Sequence, residues 1–184
     1  RKSDIASFEP VLEKEGLLGF ARLVPGGIHR QDSVYSGFQE VDPQTEVVVV
    51  HDAVRPFVAL ESIDAVIAEA YSSGAAILAI PCTDTLKQID KTHVVTTLPR
   101  DKIVLVQTPQ AFRYEDILEA HRRALEENWE EITDDALLME RRGVPVNIIE
   151  GSEENIKITT PQDLDLARYL VGRVPKVPKM PKVS

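Results

Sequence analysis

Apolar residues fall along this chain in two patterns. Unbroken runs, EVVVV at 46–50 and AAILAI at 75–80, are short and bounded by polar residues. Such runs suit strands covered on both faces, and the valine run predicts a central parallel strand. Between them, LESIDAVIAEAYSSG places Ile63, Val66, Ile67 and Ala70 on one helical stripe and stops at Gly74. Strand, helix and strand in that order predict a right-handed crossover unit, and with it an α/β fold.

The remaining segments extend this pattern. RKSDIASFEPVLEKEGL predicts a short opening helix. LVPGGIHRQDSVYSGFQEV predicts the end of a strand, a turn at Gly26-Gly27 and a helix capped by Asp32 or Ser33. Residues 83–107 read differently: LKQI and HVVTTL flank the polar turn IDKT, which predicts a β-hairpin. A hairpin has little to pack on alone, so this one is expected to lean on a neighbour, a second subunit included. YEDILEAHRRALEE and TDDALLMERRG predict amphipathic helices, the second capped by Thr133 and stopped at Gly143. PVNIIE predicts a strand. ITTPQDLDLARYLV predicts a closing helix with Thr160 as cap, Pro161 at its first position and Asp163 in its first turn. The domain is therefore expected over 1–171, with the arm at 83–107 and an extended Pro/Lys-rich tail at 172–184.

Composition narrows the class of function. The 184 residues suffice for one α/β domain. A net charge of −9 and 5% aromatic residues argue against nucleic-acid binding, while leaving room for a local basic pocket that takes a phosphate. The single cysteine, Cys82, excludes an intrachain disulfide, fits a cytoplasmic home and reads as a buried, inert thiol. No apolar run reaches membrane-spanning length, and no signal peptide is evident.

The chemistry sits where the strands end. The valine run passes without a spacer into His51, Asp52 and Arg55, and ligands of open α/β sheets bind at the carboxyl ends of strands. Gly26, Gly27, Arg30 and Ser33 form a second polar cluster, Thr85, Lys87 and Arg100 bracket the hairpin, and Thr108, Thr133, Asp134 and Lys157 complete the set. Cations, hydroxyls and backbone amides are what phosphate oxygens need, and an Asp beside them can hold Mg²⁺ or a sugar hydroxyl. Each residue also has an ordinary structural reading. Asp52 and Arg55 can form a loop-tying ion pair, the glycine pair a tight turn, and Thr133 a helix cap. Thr85 and Arg100 can pair across the hairpin, and Lys157 can be a solvated lysine. The four histidines lack zinc-ligand spacing, and neither G-x-S-x-G nor G-x-G-x-x-G occurs. Metal-assisted phosphate chemistry fits the residues best.

Taken in order, GGIHRQDSV, VHDAVRP, DTLK, LPRDKI, QTPQAF, ITDDA and EGSEENIKITTPQDLDLA resemble the 2-C-methyl-D-erythritol 4-phosphate cytidylyltransferase family over roughly residues 24–171. The resemblance implies a Rossmann-like nucleotidyltransferase sheet with a protruding β-hairpin dimerisation arm. It implies a homodimer through that arm, with CTP and a polyol phosphate as substrates. The reaction would be Mg²⁺-dependent (or use another divalent cation), would release pyrophosphate, and would belong to non-mevalonate isoprenoid synthesis in the cytoplasm, or in the plastid stroma of a plant.

The same resemblance implies roles for individual residues. Asp52 is the carboxylate near the polyol and the metal, with Ala53 along the nucleotide and Arg55 on the substrate. Gly26, Gly27, Arg30 and Ser33 line the cytidine. Thr85 and Arg100 reach the substrate phosphate from the partner's arm, Thr108 and Thr133 contact the polyol phosphate, and Lys157 lies between it and the CTP phosphates. Ribitol 5-phosphate cytidylyltransferases share much of this pattern and are the alternative. The family normally opens with a strand, a Gly-rich loop carrying an Arg, and a Lys, which grip the CTP triphosphate. RKSDIASFEP aligns past that point. The sheet is therefore expected to lack its first strand in the chain as given, and a non-catalytic, dimer-forming fragment is the third reading.

Overall fold

The computed structural model describes residues 2–173. In chain order the helices are α1 (Ile5–Lys14), α2 (Arg30–Phe38), α3 (Leu60–Ser73), α4 (Tyr114–Glu126), α5 (Asp135–Arg141) and α6 (Pro161–Val171). The strands are β1 (Val47–Val50), β2 (Ala75–Pro81), β3 (Lys87–Asp90), β4 (His93–Thr97), β5 (Val104–Arg113) and β6 (Asn147–Glu150). The main sheet has the order β1-β5-β2-β6, and β3-β4 form a separate hairpin. The tail from 174 onward lies outside the described residues.

Side chains alternate across the sheet and so build two apolar layers. Ala76, Leu78 and Ala111 face Val66 and Ala70 of α3 on one side. Val48, Ala75, Ile77 and Phe112 face Phe38, Tyr114, Ile117, Leu138 and Met139 on the other, where α2, α4 and α5 pack. The α3 stripe and its stop at Gly74 stand as read, with the Gly74 N–H donating to Ala70 O at 2.8 Å.

The valine run is a strand, but neither central nor paired in parallel. Among the described residues β1 pairs only with β5, antiparallel, and Val49 is 38% exposed. An apolar run reports burial and β-branching; it says nothing about which strand lies alongside. β1 and β2 do run the same way, but β5 lies between them, antiparallel to both, so the strand–helix–strand unit spans a gap of one strand. β5 begins at Val104, so the last residues of 83–107 belong to the main sheet and the arm proper is β3-β4.

Three local readings also change. Among the described residues no strand precedes Gly26; residues 21–27 have no regular structure. The α2 cap position is His29, not Asp32 or Ser33; both reach back to the turn, Asp32 Oδ2 accepting from His29 N–H at 2.9 Å and Ser33 Oγ from Gly27 N–H at 3.1 Å. A side chain at Gly27 would put its Cβ 2.2 Å from Asp32 Cβ, so this close turn needs glycine. The α5 cap is Asp134, one residue past Thr133, with Oδ1 accepting from Leu137 N–H at 3.1 Å.

The start of α6 matches its sequence signature. Thr160 and Asp163 bond reciprocally as a capping box with Pro161 inside it. Backbone N–H groups of Thr159 and Thr160 hold the Asp163 carboxyl down to about 2, from an ordinary 3.8. A carboxyl lowered on folding stabilises above its ordinary value and ceases to as pH falls toward the folded one, so α6 loosens between those two pH values. Thr160→Ala is expected to cost about 1 kcal/mol in denaturant unfolding; an unchanged midpoint would show that the cap carries no stability.

Candidate functional site

The register of β5 assembles the site. Val50 pairs with Gln110, so Thr108 lies two residues beyond the end of β1, beside His51 and Asp52. Asp52 N–H donates to Thr108 Oγ1 at 3.0 Å, and Thr108 Oγ1 lies 3.0 Å from His51 Nδ1. Ala79 pairs with Val106 on one side and Glu150 on the other, which brings the loop after β6 to the same edge. Gly151 is pressed there against β5: a Cβ would fall 2.5 Å from Gln107 Oε1 and 3.3 Å from Ala79 O.

A cavity of about 320 Å³ opens along this edge, lined by residues that include Arg30, Asp52, Arg55, Thr108, Thr133 and Lys157. Asp52 is its charge centre. Lys157 Nζ lies 3.0 Å from Asp52 Oδ2, and Arg55 Nε lies 3.7 Å from the same oxygen. The ion-pair reading of Asp52 and Arg55 and the site reading therefore both describe the geometry. Lys157 is more than a solvated lysine, although its side chain is half exposed. In a chain of net charge −9, three cations lining one cavity, Arg30, Arg55 and Lys157, suit an anionic ligand.

The loop carrying Lys157 is braced from below. Asn155 is buried and donates to Gln107 Oε1 at 3.1 Å and Thr108 O at 2.9 Å. Gln107 donates to Ser152 O at 2.8 Å, Arg55 Nη1 to Asn155 O at 2.7 Å, and Ile158 N–H to Val54 O at 2.9 Å. Gln110 Nε2 donates to Asp134 Oδ2 at 2.8 Å, tying the cap of α5 to β5. The residue pattern marks Asp134 beside Thr133 but does not single out Gln107, Gln110 or Asn155; the glutamines on either side of Thr108-Pro109 in QTPQ are the only mark the first two leave.

Other expected site residues lie elsewhere. Gly26, Gly27 and Ser33 form the turn into α2, Ala53 is exposed in the loop after β1, and none of them lines the cavity. Thr85 and Arg100 flank the arm, both exposed; Arg100 donates to Thr83 O at 2.8 Å across its base, so no bond joins Arg100 to Thr85. Cys82 is buried, as read.

A sequence profile of 2-C-methyl-D-erythritol 4-phosphate cytidylyltransferases matches residues 2–173. The chain belongs to this family. The cytidylyltransferase of Pelotomaculum thermopropionicum is 49% identical over 162 residues, 88% of this chain and 68% of that protein. The Syntrophus aciditrophicus enzyme is 47% identical over 93% of this chain and 74% of its own. The crystal structure of 4-diphosphocytidyl-2C-methyl-D-erythritol synthase from Anaerococcus prevotii superimposes with a TM-score of 0.82 at 34% identity, covering 94% of this chain and 76% of that one. The fold is thus the Rossmann-like nucleotidyltransferase fold expected of the cytidylyltransferases. Among the described residues no helix is long and apolar enough to cross a membrane.

Proposed function

We propose that the chain transfers CMP from CTP to 2-C-methyl-D-erythritol 4-phosphate, releasing pyrophosphate. The observation that best supports this reading is the convergence of Asp52, Arg55, Thr108, Thr133 and Lys157 on one cavity at the strand ends. A phosphate oxygen of the alcohol attacks the α-phosphorus of CTP, the bond to the β-phosphate oxygen breaks, and pyrophosphate leaves. The attacking phosphate is already anionic, so no strong base is needed, and catalysis is positioning plus neutralisation of charge.

The residues divide that task. Lys157 faces the charge that develops between the two substrates. Asp52 orients Lys157 and accepts from a polyol hydroxyl, Arg55 steadies both, and Thr108 and Thr133 donate to the polyol phosphate. Gly26, Gly27, Ser33 and Ala53 lie along the cytidine. Mg²⁺ commonly takes only one or two protein carboxylates plus substrate phosphates; of the two that line the cavity, Asp134 is committed to the α5 cap and Gln110, so Asp52 would hold the ion. The ion would supply neutralisation of phosphate charge. The setting is proposed to be cytoplasmic.

Thr85 and Arg100 would complete the site from a partner subunit. The arm supports this: β3 and β4 are exposed throughout, with Ile89, Val94 and Val95 each about 60% exposed. A lone hairpin is marginal in water, and a second copy would cover it. Arg100→Ala is expected to raise KM for the alcohol phosphate more than KM for CTP. In an equal mixture with Asp52→Ala protomers, about a quarter of sites should regain activity, since half the dimers are mixed and each holds one intact site. No rescue would place the whole site within one chain. The direct test is pyrophosphate release from CTP, with methylerythritol phosphate and ribitol 5-phosphate in parallel. Release with the first alcohol alone is expected; release with ribitol 5-phosphate alone would replace the proposed substrate.

A further inference from the structure

Two adjacent carboxylates open α5 and act differently. Asp134 turns to the helix N–H groups and Gln110. Asp135 is fully buried and gives one oxygen to each of two partners: Oδ1 accepts from His121 Nε2 at 3.0 Å and Oδ2 from Arg30 Nη1 at 2.6 Å. His121 is 3% exposed; its ring stacks on Tyr35 with centroids 5.8 Å apart and meets Phe38 edge-on at 5.3 Å. The three residues come from α2, α4 and α5, and of them Arg30 alone lines the cavity.

Stability does not explain such a network, because buried ion pairs often contribute nothing over an apolar replacement. Direction does. A guanidinium carries five donors in a rigid fork, so one bond to Asp135 fixes the plane and leaves donors for the cavity. Arg55 and Lys157 share Asp52 within the cavity, whereas the counter-charge of Arg30 lies behind its wall. Arg30 is itself neutralised at close range, but from outside the cavity, so its remaining donors do not compete for a carboxylate there and are available to a ligand.

Resting on the function proposed above, we infer that Asp135 and His121 are positioning residues. They hold the Arg30 guanidinium on the Thr133 side of the cavity, where it binds the phosphate of the alcohol substrate. This places Arg30 against the alcohol and not the cytidine.

The test is calorimetric titration of the full chain with 2-C-methyl-D-erythritol 4-phosphate and, separately, with CTP. Wild type, Asp135→Asn, Arg30→Gln and the double variant are compared. Asp135→Asn is expected to weaken the alcohol phosphate by about tenfold with Arg30 present and by less than about twofold in the Arg30→Gln background, since coupled neighbours are non-additive. CTP affinity should change little in every variant. Equal weakening in both backgrounds, or loss confined to CTP, would overturn the inference. Wild-type protein that binds neither ligand would overturn the proposed function as well, whereas wild-type binding unaltered in Asp135→Asn overturns the positioning role alone. If circular dichroism shows Asp135→Asn unfolded, Arg30→Lys decides: it keeps the charge and loses the fork, several-fold weaker binding of the alcohol phosphate is expected, and unchanged affinity overturns the inference.

Discussion

Asp52→Ala is expected to lower pyrophosphate release on the order of 100- to 1,000-fold, the range seen when one preorganised group is removed from a charge-stabilising site. The geometry gives the reason. Asp52 Oδ2 is the common partner of Lys157 Nζ at 3.0 Å and Arg55 Nε at 3.7 Å. Without it two cations lose the group that fixes their direction, and the cavity keeps only Asp134, whose oxygens are held by the α5 cap and Gln110, as a carboxylate for a hydroxyl or a divalent ion. Folding should hardly change. The carboxylate is partly exposed, its ion pairs are screened, and the Asp52 N–H bond to Thr108 survives the substitution. Steady-state assays beside thermal unfolding separate the two effects. A rate near wild type would remove Asp52 from the mechanism, and a collapsed melting temperature would make it structural. Asp52→Asn keeps the shape and one acceptor while losing the charge, so it should fall between wild type and Asp52→Ala.

How much of this was legible depended on how local each signal was. The start of α6 could be read because TTPQD carries its own cap, its own proline and its own acid within a few residues. The α3 stripe is equally local. The position of β1 was not legible, because its neighbour β5 lies more than fifty residues on and an apolar run does not name its partner. β5 itself was obscured by its own function. Gln107, Thr108 and Gln110 interrupt the apolar pattern, yet all are buried, because the strand carries the polar floor of the site. His121 and Asp135 look like polar residues of amphipathic helices. They are buried because Arg30, far away in sequence, closes the network. Burial pushes the Asp135 carboxyl up, but the His121 hydrogen bond and the Arg30 guanidinium outweigh it and hold the group below its ordinary value. Of the residues the motif order pointed to, Arg30, Asp52, Arg55, Thr108, Thr133 and Lys157 line the cavity, while Gly26, Gly27, Ser33, Ala53, Thr85 and Arg100 lie outside it, and the parts that position the first group needed the fold.

Phe112→Ala should produce the largest loss of stability. Phe112 is fully buried near the end of β5, paired in register with Val48 of β1 and Ala75 of β2. It packs in the layer with Phe38, Ile117, Leu138 and Met139, so its ring joins the sheet to α2, α4 and α5. Truncating a buried phenylalanine costs about 3–5 kcal/mol. That is a large share of the roughly 5–15 kcal/mol that holds most domains folded. For a chain of this size it lowers the melting temperature by roughly 6–20 °C. Phe112→Leu keeps most of the volume and should cost less than about 1.5 kcal/mol. The site should feel little of either change while the protein is folded. Thr108 lies four residues along an extended strand, about 13 Å away, and its own bonds run to Asp52 and His51. Below the transition, KM for both substrates should therefore match wild type, with activity lost at a lower temperature. A raised KM with an unchanged melting temperature would mean that the ring shapes the cavity and not the core, and would reverse the division of β5 into a polar floor and an apolar anchor.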